Sequence, residues 1–335
     1  LNRGHNLYVV DSLINSSFKS ISKILELNKK NKFNKADLIF KNIDIRDPIK
    51  LKELFDLSHI QKKGIKSVIH LAGLKSILDS YKNPIEYFDI NVNGTRNLLN
   101  IMQKFNCYEF VFSSSATVYD PLCSSPISED ALLNPKSPYG ITKLEAEKLL
   151  NKEFGKKENW KIVVLRYFNP IGCHSSGEIG EIPLNNPANL FPFLCKVAIG
   201  KKKFLSIYGK DWPTRDGTGI RDYIHIMDLV DGHIAALDFL RSKNSTYNIV
   251  NLGTGKGTTV LELIKTFEEV NNININYKFT DRREGDMASN YADVSKAKNL
   301  LNWESKFSIR EMCRDGWLYS KKFPDGLWDF KLGIL

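Results

Sequence analysis

Short apolar runs alternate with longer stretches of helical spacing through the first half of the chain. The apolar runs predict strands at residues 7–10, 37–40, 67–71, 109–113 and 161–166. The stretches between them predict helices near residues 48–57, 84–105 and 139–154. Strands that alternate with helices in this way are typical of an α/β fold built on a parallel sheet.

The second half of the chain has a different pattern. Residues 170–189 are rich in glycine, proline and asparagine, which indicates a passage into a second domain. Helical spacing returns at residues 227–240 and 259–267. The glycine run at 253–257 stands between a predicted strand and helix but lacks the spacing of a phosphate-binding loop, so it indicates an ordinary turn.

Composition and charge narrow the class of protein. The chain has 335 residues, 42% of them hydrophobic, which suits one large α/β domain and a smaller one. Its formal net charge is +10, yet the lysines are spread out, and the lysine–asparagine run at 28–35 indicates a solvated loop rather than a nucleic-acid site. No apolar run approaches the roughly 20 residues of a membrane helix, and no signal peptide is recognisable. The five cysteines form no Cys-x-x-Cys pair or metal-ligand cluster, so we expect a cytoplasmic protein without metal, nucleic-acid or membrane partners.

Tyr139 and Lys143 are the strongest candidates for chemistry. They lie four residues apart in a predicted helix and therefore on one face of it. A tyrosine with its ordinary pKa near 10 is a poor base at neutral pH, and a neighbouring ammonium can lower that pKa. Spacing alone would ordinarily mean a surface tyrosine beside a surface lysine. The hydroxyls of Ser113, Ser115 and Thr117, at the end of the preceding strand, favour a functional role because they could bind a substrate oxygen.

Six ordered motifs accompany this pair. They are HLAGLK at 70–75, NVNGT at 91–95, SSSATVY at 113–119, LRYFNP at 165–170, DGTGIRDYIH at 216–225 and RREGD at 282–286. Together they resemble the extended short-chain dehydrogenase/reductase superfamily and, within it, the UDP-glucose 4-epimerase family. The resemblance implies a Rossmann-like, doubly wound parallel sheet with a smaller C-terminal α/β substrate domain. Residues 1–168 would bind NAD and 169–335 the UDP-sugar, with part of 221–244 returning to the first domain.

Asp11 follows the first predicted strand, where a Rossmann fold carries the acidic residue that binds the adenine ribose hydroxyls. The glycine-rich loop of that fold lies about 20 residues earlier. The resemblance therefore implies that the loop and the strand before it precede Leu1. Residues 1–5 resemble the end of the first crossover helix, so we expect this sequence to start inside the family's fold.

The resemblance implies that UDP-galactose and UDP-glucose interconvert through a 4-keto sugar, with NAD as a bound catalyst. Tyr139 would remove the proton of the sugar 4-hydroxyl while the C4 hydride passes to NAD⁺ and later returns to the other face. Lys143 would lower the tyrosine pKa, and Ser115 and Thr117 would bind the oxygen at C4. The residues implied to bind NAD are Asp11, Asp44, Ile45, Leu71, Ala72, Lys75, Ser113, Tyr139, Lys143 and Tyr167. Those implied to bind the UDP-sugar are Lys75, Ser115, Tyr139, Asn169, Asn189, Leu190, Arg221, Tyr223, Arg283, Asp286 and Asn290.

Asn290 lies two positions before Ala292, where the resemblance implies a residue that limits the size of the sugar. Family members with tyrosine there are confined to UDP-glucose and UDP-galactose, whereas those with a small residue also admit the N-acetyl forms. Asparagine is smaller than tyrosine and can hydrogen-bond an amide. We therefore expect activity on the N-acetyl sugars as well. The alternative is an asparagine that faces solvent at the end of a loop.

A homodimer is also implied by the resemblance. The helix after Asn91 and the helix that carries Tyr139 would pair with their copies in a four-helix bundle. The apolar residues on these helices are Leu98, Leu99, Met102, Leu149 and Leu150. Packing in the core of the monomer would explain them equally well.

Two other functions fit parts of the sequence. A nucleotide-sugar 4,6-dehydratase shares NAD and Tyr-x-x-x-Lys, but its elimination needs the Asp-Glu pair that follows the threonine of that strand in such enzymes. Val118 follows Thr117 here, so this carboxylate pair is missing. A catalytically silent dinucleotide-binding protein is the second alternative. The joint presence of Tyr139, Lys143 and Ser115 argues against it.

Overall fold

The computed structural model describes residues 1–30, 36–61, 64–156, 159–181, 189–283 and 285–327. Its strands are β1 (Leu7–Asp11), β2 (Leu38–Asn42), β3 (Ser67–His70), β4 (Glu109–Ser115), β5 (Lys161–Tyr167), β6 (Asn169–Ile171), β7 (Leu205–Tyr208), β8 (Ile220–Arg221), β9 (Tyr223–His225), β10 (Thr246–Leu252), β11 (Thr258–Thr259), β12 (Tyr277–Thr280) and β13 (Ser289–Asn290). Its helices are α1 (Phe18–Lys30), α2 (Pro48–Ile60), α3 (Ile77–Lys82), α4 (Pro84–Phe88), α5 (Gly94–Lys104), α6 (Pro138–Phe154), α7 (Leu190–Ala198), α8 (Ile226–Arg241), α9 (Val260–Asn271), α10 (Ser295–Leu301) and α11 (Ile309–Lys322).

A parallel sheet in the order β10–β5–β4–β3 forms the centre of the first domain. Strands β1 and β2 form a second parallel pair. Val10 and Phe40, which we predicted in the first two strands, lie within this pair. Because parallel strands run in one direction, the carboxyl ends of β3, β4 and β5 lie along one edge of the sheet, where α/β folds bind their ligands.

Helices cover both faces of the four-stranded sheet. On one face, Phe110 and Phe112 of β4 pack with Leu98 of α5 and Leu150 of α6. On the other face, the core is built from β4, β5, β10, α8 and α10. Each fully buried side chain of this size contributes about 1.5–3 kcal/mol to folding. The prediction of a Rossmann-like, doubly wound α/β fold is confirmed.

The short strands after β5 surround a second core. Phe191, Leu263, Phe267 and Met312 lie at its centre. Helix α8 packs on β4 and β5, and β10 pairs with β5. The return of part of 221–244 to the first domain stays a prediction. The domain boundary between 168 and 169 stays a prediction. In the described part of the chain, no helix is both long and apolar enough to cross a bilayer.

Two local predictions were wrong. Residues 28–30 end helix α1 rather than starting a loop, and residues 31–35 of that predicted loop lie outside the described residues. The predicted helix at 84–105 is not regular, because a π-helical turn (Asp89–Asn93) separates α4 from α5. Inside this turn, Asn91 Nδ2 donates to Leu74 O and Thr142 Oγ1, each at 3.0 Å. Asn91 thus joins the loop after β3 to helix α6.

Candidate active site

The start of α6 fixes the positions of Tyr139 and Lys143. Ser137 Oγ caps the helix by accepting the Gly140 N–H at 3.1 Å, and Pro138 occupies the first turn. Gly140 is required, because a Cβ there would come within 2.7 Å of the Thr117 carbonyl oxygen. Tyr139 is 9% exposed and Lys143 is 5% exposed. The ordinary alternative, a surface tyrosine beside a surface lysine, is therefore wrong.

Lys143 reaches from α6 to the end of β4. Its Nζ donates to the Ser113 carbonyl oxygen at 2.7 Å and lies 5.1 Å from the centre of the Phe112 ring. The same nitrogen is 5.9 Å from the centre of the Tyr139 ring. Burial lowers the pKa of Lys143 to about 8, against an opposing effect of the Glu147 carboxylate. The charge of this lysine therefore changes close to neutral pH.

Burial raises the pKa of Tyr139 to about 12, because it removes water from the phenolate. A hydrogen bond with the Ser115 hydroxyl acts in the opposite direction but is the weaker effect. The net lowering that we expected from Lys143 is therefore not found in this structure. Its ammonium is directed at the Ser113 carbonyl rather than at the phenol oxygen.

Hydroxyl groups gather at the end of β4, around the Tyr139 phenol. Ser115 Oγ accepts from the backbone N–H of Thr117 at 3.2 Å and from Thr117 Oγ1 at 3.1 Å. A single 3₁₀ turn (Ala116–Val118) brings the Thr117 side chain back over Ser115. Within the ranges that the structure describes, no carboxylate hydrogen-bonds Ser115, Thr117 or Tyr139. This set can hold an oxygen and exchange a proton with it.

Tyr167 lies beside Ser115 in the register of β4 and β5. Its hydroxyl is hydrogen-bonded to His233 Nε2 of α8. His233 Nδ1 bonds the Leu229 carbonyl at 2.7 Å, and burial lowers the pKa of His233. A neutral imidazole that donates from Nδ1 must accept at Nε2, so this pairing fixes the direction of the Tyr167 hydroxyl.

The residues predicted to bind NAD follow the ends of parallel strands. Asp11 ends β1, and its Oδ1 accepts from the Leu13 N–H and from Ser16 Oγ, each at 2.7 Å. Asp44 follows β2 and bonds Arg46, which lowers the pKa of the Asp44 carboxyl. The remaining members of the set are Ile45 against Gly94, the exposed Leu71, the half-buried Ala72, and Lys75, whose Nζ lies 2.7 Å from Glu181 Oε1.

Gly73 brings backbone close to Lys143. Its φ is +153°, and a Cβ there would lie 2.8 Å from Asn91 Oδ1 and 3.9 Å from Lys143 Nζ. A side chain at this position would fill the space beside the lysine. The turn after β3 therefore leaves room for a ligand to pass along the carboxyl edge of the sheet.

Two arginines, Arg221 and Arg283, are among the predicted substrate residues of the second domain. Arg221 bonds Asp286, and its NH1 also donates to the carbonyls of Ile220 at 2.7 Å and Met287 at 3.0 Å. The Arg283 guanidinium lies 3.6 Å from the centre of the Tyr208 ring. Glu284, in the same motif, lies outside the described residues.

Asn290 pairs with Arg221 in the register of β13 and β8. Its Oδ1 is buried, and none of the described residues hydrogen-bonds it. A side-chain amide at the end of a solvated loop would not have a buried, unbonded oxygen. The alternative that we gave for Asn290 is therefore wrong.

The remaining predicted substrate residues belong to β6, β9 and the start of α7. Asn169 is exposed on β6, Asn189 precedes α7, and Leu190 packs against the second core. The Tyr223 side chain is buried in that core, so its ring is a packing element. In the glycine run at 253–257, the amides of Thr254 and Gly255 donate to the Asp222 carboxylate at 2.7 and 3.0 Å, as an ordinary turn allows.

Three residues of the site were not predicted. Asn91 was noticed only as part of a motif. Glu147 lies one turn beyond Lys143 on α6, so its spacing could have identified it. His233 gave no signal, because its partner Tyr167 is distant in sequence.

Known proteins share this architecture over almost the whole chain. Residues 1–316 match the family described as GDP-mannose 4,6 dehydratase. The UDP-glucose 4-epimerase of Bacillus subtilis strain 168 is 43% identical over 327 residues, which are 97% of this chain and 93% of that protein. The crystal structure of UDP-glucose 4-epimerase from Stenotrophomonas maltophila, with bound NAD and formylated UDP-arabinopyranose, has a TM-score of 0.90 at 39% identity and covers 96% of this chain and 93% of its own. The enzyme from Bifidobacterium longum in complex with NAD⁺ and UDP has a TM-score of 0.88 at 38% identity, with 97% and 94% covered.

The family description names a dehydratase, whereas these relatives are epimerases. The epimerases match at high identity along nearly the full chain. The site also lacks the carboxylate pair expected of a dehydratase after Thr117. This chain belongs to the UDP-glucose 4-epimerase family of extended short-chain dehydrogenases/reductases.

Proposed function

We propose that this protein interconverts UDP-galactose and UDP-glucose by oxidising the sugar at C4 and reducing it again on the other face. The observation that carries the proposal is the buried Tyr139, which lies on one helix face with the buried Lys143 and is influenced by the Ser115 hydroxyl. The enzyme is an NAD-dependent isomerase. When bound, NAD⁺ supplies the hydride acceptor and a further positive charge near the phenol.

The residues at the carboxyl edge suit this cofactor. The Asp11 carboxylate would accept from ribose hydroxyls, and Asp44 and Ile45 would border the adenine. Leu71, Ala72 and Lys75 would lie along the dinucleotide, where Gly73 leaves space. The groups around the nicotinamide end would be Ser113, Tyr139, Lys143 and Tyr167. In this proposal residues 1–168 bind the cofactor and 169–335 bind the sugar nucleotide.

Tyr139 would act as the base toward the sugar 4-hydroxyl, and Ser115 and Thr117 would hold the oxygen at C4. A phenol with a pKa of about 12 needs added positive charge before it can act near neutral pH. Lys143 supplies such a charge while it is protonated. Because the reaction returns both electrons to the sugar, NADH does not accumulate and no second substrate is consumed.

Two arginines would receive the diphosphate of the UDP-sugar. The Arg221 guanidinium is paired with Asp286. It would exchange this carboxylate for phosphate oxygens, which its planar fork fits, or Asp286 would bind the ribose. Arg283, held flat on Tyr208, is the second arginine. Asn169, Asn189, Leu190 and Tyr223 complete the proposed substrate set, with Tyr223 as support from the core.

The enzyme would also accept the N-acetyl sugars. The buried, unbonded Oδ1 of Asn290 is an acceptor without a donor. The side-chain amide of asparagine has both a donor and an acceptor for an acetamido group. Asparagine also leaves more room than tyrosine at this position.

The protein would be a cytoplasmic homodimer. Leu98, Leu99, Met102 and Leu150 cannot form the interface, because they are buried in the core of the monomer. We propose instead the exposed apolar side chains on the packed helices α3, α4 and α6, which are Ile77, Leu78, Tyr81, Ile85, Phe88 and Ile141. All five cysteines are free thiols, which agrees with a reducing compartment.

The test is direct. The full-length protein is purified and incubated with NAD⁺ and UDP-galactose, and the nucleotide sugars are separated by chromatography. We expect UDP-glucose to form without a net change in NADH absorbance. A 4-keto-6-deoxy product would favour the dehydratase, and no product with tight NAD binding would favour the silent protein.

A further inference from the structure

We propose that the buried Glu147–Arg166 pair is a positioning device for Lys143. The pair holds the Glu147 charge one helical turn from the Lys143 ammonium, and the glutamate does not form an ion pair with that ammonium. The inference rests on the proposed reaction, in which Lys143 must be charged. Neither Glu147 nor Arg166 reaches the cleft, so both act through the lysine.

Tyr139, Lys143 and Glu147 follow one another at four-residue intervals along one stripe of α6. The Glu147 carboxylate is fully occupied. Its Oε1 accepts from Arg166 Nε at 3.0 Å and from Ser114 Oγ at 2.5 Å, and its Oε2 accepts from Arg166 NH2 at 2.6 Å. A carboxylate bound by three donors cannot turn toward a neighbouring ammonium.

Arg166 is in turn fixed by its own surroundings. It is completely buried, its NH1 donates to the Glu129 carbonyl at 3.0 Å, and its guanidinium lies 4.8 Å from the centre of the Tyr119 ring. Tyr119 is held by a hydrogen bond to Asn251 Oδ1 at 2.6 Å. This rigid arginine keeps the Glu147 charge in place. Among the described residues, no carboxylate oxygen comes within 4.0 Å of Lys143 Nζ, so the ammonium stays directed at the end of β4.

The groups around Lys143 come from α6, three strands and the π-helical turn. Its own helix provides Tyr139 and Glu147, and β4 provides the Ser113 carbonyl and the Phe112 ring. Strand β3 provides His70, whose pKa of about 3 keeps it neutral, and β5 provides Arg166 behind the glutamate. Neutral Asn91 lies beyond Gly73. Glu147 is the one anion in this set.

Each member of the pair therefore has an opposite effect on the lysine. Without the Glu147 charge, Lys143 faces a bare Arg166 cation and loses its proton at lower pH. Without Arg166, the glutamate charge is uncompensated and Lys143 keeps its proton to higher pH. A purely structural pair would lower activity in both variants without moving the pH dependence in opposite directions.

The experiment is the pH profile of kcat for UDP-galactose in the wild type, Glu147→Gln, Arg166→Met and the double variant. Activity should decline on the alkaline side as Lys143 loses its proton. We expect this decline to move down by about one pH unit or more in Glu147→Gln and up by a similar amount in Arg166→Met. The double variant should return most of the way to the wild type.

Ser114→Ala is the matched control, because it removes one hydrogen bond to Glu147 but no charge. Its alkaline limb should coincide with that of the wild type. If either single variant fails to fold, the remaining one and the double variant still differ in the predicted direction. Unmoved limbs, or limbs that move the same way in both single variants, would overturn the inference, whereas an inactive wild type would overturn the proposed function instead.

Discussion

The ammonium nitrogen of Lys143 lies 2.7 Å from the carbonyl oxygen of Ser113, two residues before Ser115. This bond anchors a buried positive charge near the carboxyl end of β4, 5.9 Å from the centre of the Tyr139 ring. The lysine is buried, and no carboxylate in the described part of the chain pairs with it, so its charge is unfavourable for folding and available for chemistry. Replacing this lysine should therefore have opposite effects on stability and on activity.

Lys143→Met should abolish epimerisation and stabilise the fold at pH 7. The pKa of Lys143 is about 8 in the folded chain and near its ordinary value when unfolded, so the unfolded chain binds the extra proton between these values. The wild type therefore gains stability as pH rises through this window. Allowing for the lost bond to Ser113, the variant should be more stable by about 2 kcal/mol at pH 7 and lose this advantage by pH 10.

Denaturant unfolding at both pH values measures the difference. Lys148→Met is the matched control, because Lys148 lies on the same helix, is exposed and pairs with Glu145. Its stability should differ little from the wild type at either pH. A Lys143→Met protein that is clearly less stable than the wild type at pH 7 would contradict the burial argument.

Arg221→Lys should raise KM for UDP-galactose at least tenfold and change kcat much less. A lysine keeps the charge but loses the planar fork that fits two phosphate oxygens. Arg282→Lys is the control, since Arg282 stacks on Trp212 and pairs with Asp211 in the neighbouring loop. Steady-state kinetics decide it, and equal effects of the two substitutions would remove Arg221 from the diphosphate site.

Asn290→Tyr should abolish activity on UDP-N-acetylgalactosamine and retain activity on UDP-galactose. The larger ring fills the space of the acetamido group and removes the buried acceptor. The ratio of kcat/KM for the two substrates measures the change. A wild type without N-acetyl activity, or a variant with the ratio unchanged, would show that Asn290 does not select the sugar.

Ile85→Asp should shift the protein toward monomer. Ile85 is the most exposed apolar side chain of α4, and a charge there would face the proposed partner copy. Ile60→Asp is the control, because Ile60 is similarly exposed at the end of α2. Light scattering at micromolar concentration gives the masses. A monomeric wild type would rule out the dimer, and a dimeric Ile85→Asp protein would place the interface elsewhere.

Much of the first domain could be predicted from the sequence, because its strands and helices carry strong local signals. The apolar runs of β3 to β5 and the spacing of α6 depend only on neighbouring residues. The π-helical turn at Asp89–Asn93 could not be predicted in this way. Its Asn91 bonds partners on a distant loop and helix, and these tertiary contacts favour a wider turn.

In the candidate site, too, local sequence predicts some features, whereas others depend on tertiary contacts. Spacing identified Tyr139 and Lys143, since four residues on a helix define one face. Their pKa values depend on burial and on where the ammonium points, and neither is local information. For the same reason the burial that raises the pKa of Tyr139 could not be predicted from spacing, and the lowering by Lys143 stays a prediction. The Glu147–Arg166 pair joins a helix to a strand, so sequence spacing revealed only half of it.

The central claim is that Tyr139 is the base of an epimerase, and Tyr139→Phe tests it most directly. The rate of UDP-glucose formation from UDP-galactose and the affinity for UDP are measured in the wild type, Tyr139→Phe and the control Tyr277→Phe. We predict that Tyr139→Phe lowers kcat at least about 10²-fold, or about 2.7 kcal/mol, while UDP affinity and the control stay unchanged. A Tyr139→Phe enzyme within roughly threefold of the wild-type rate would contradict the account.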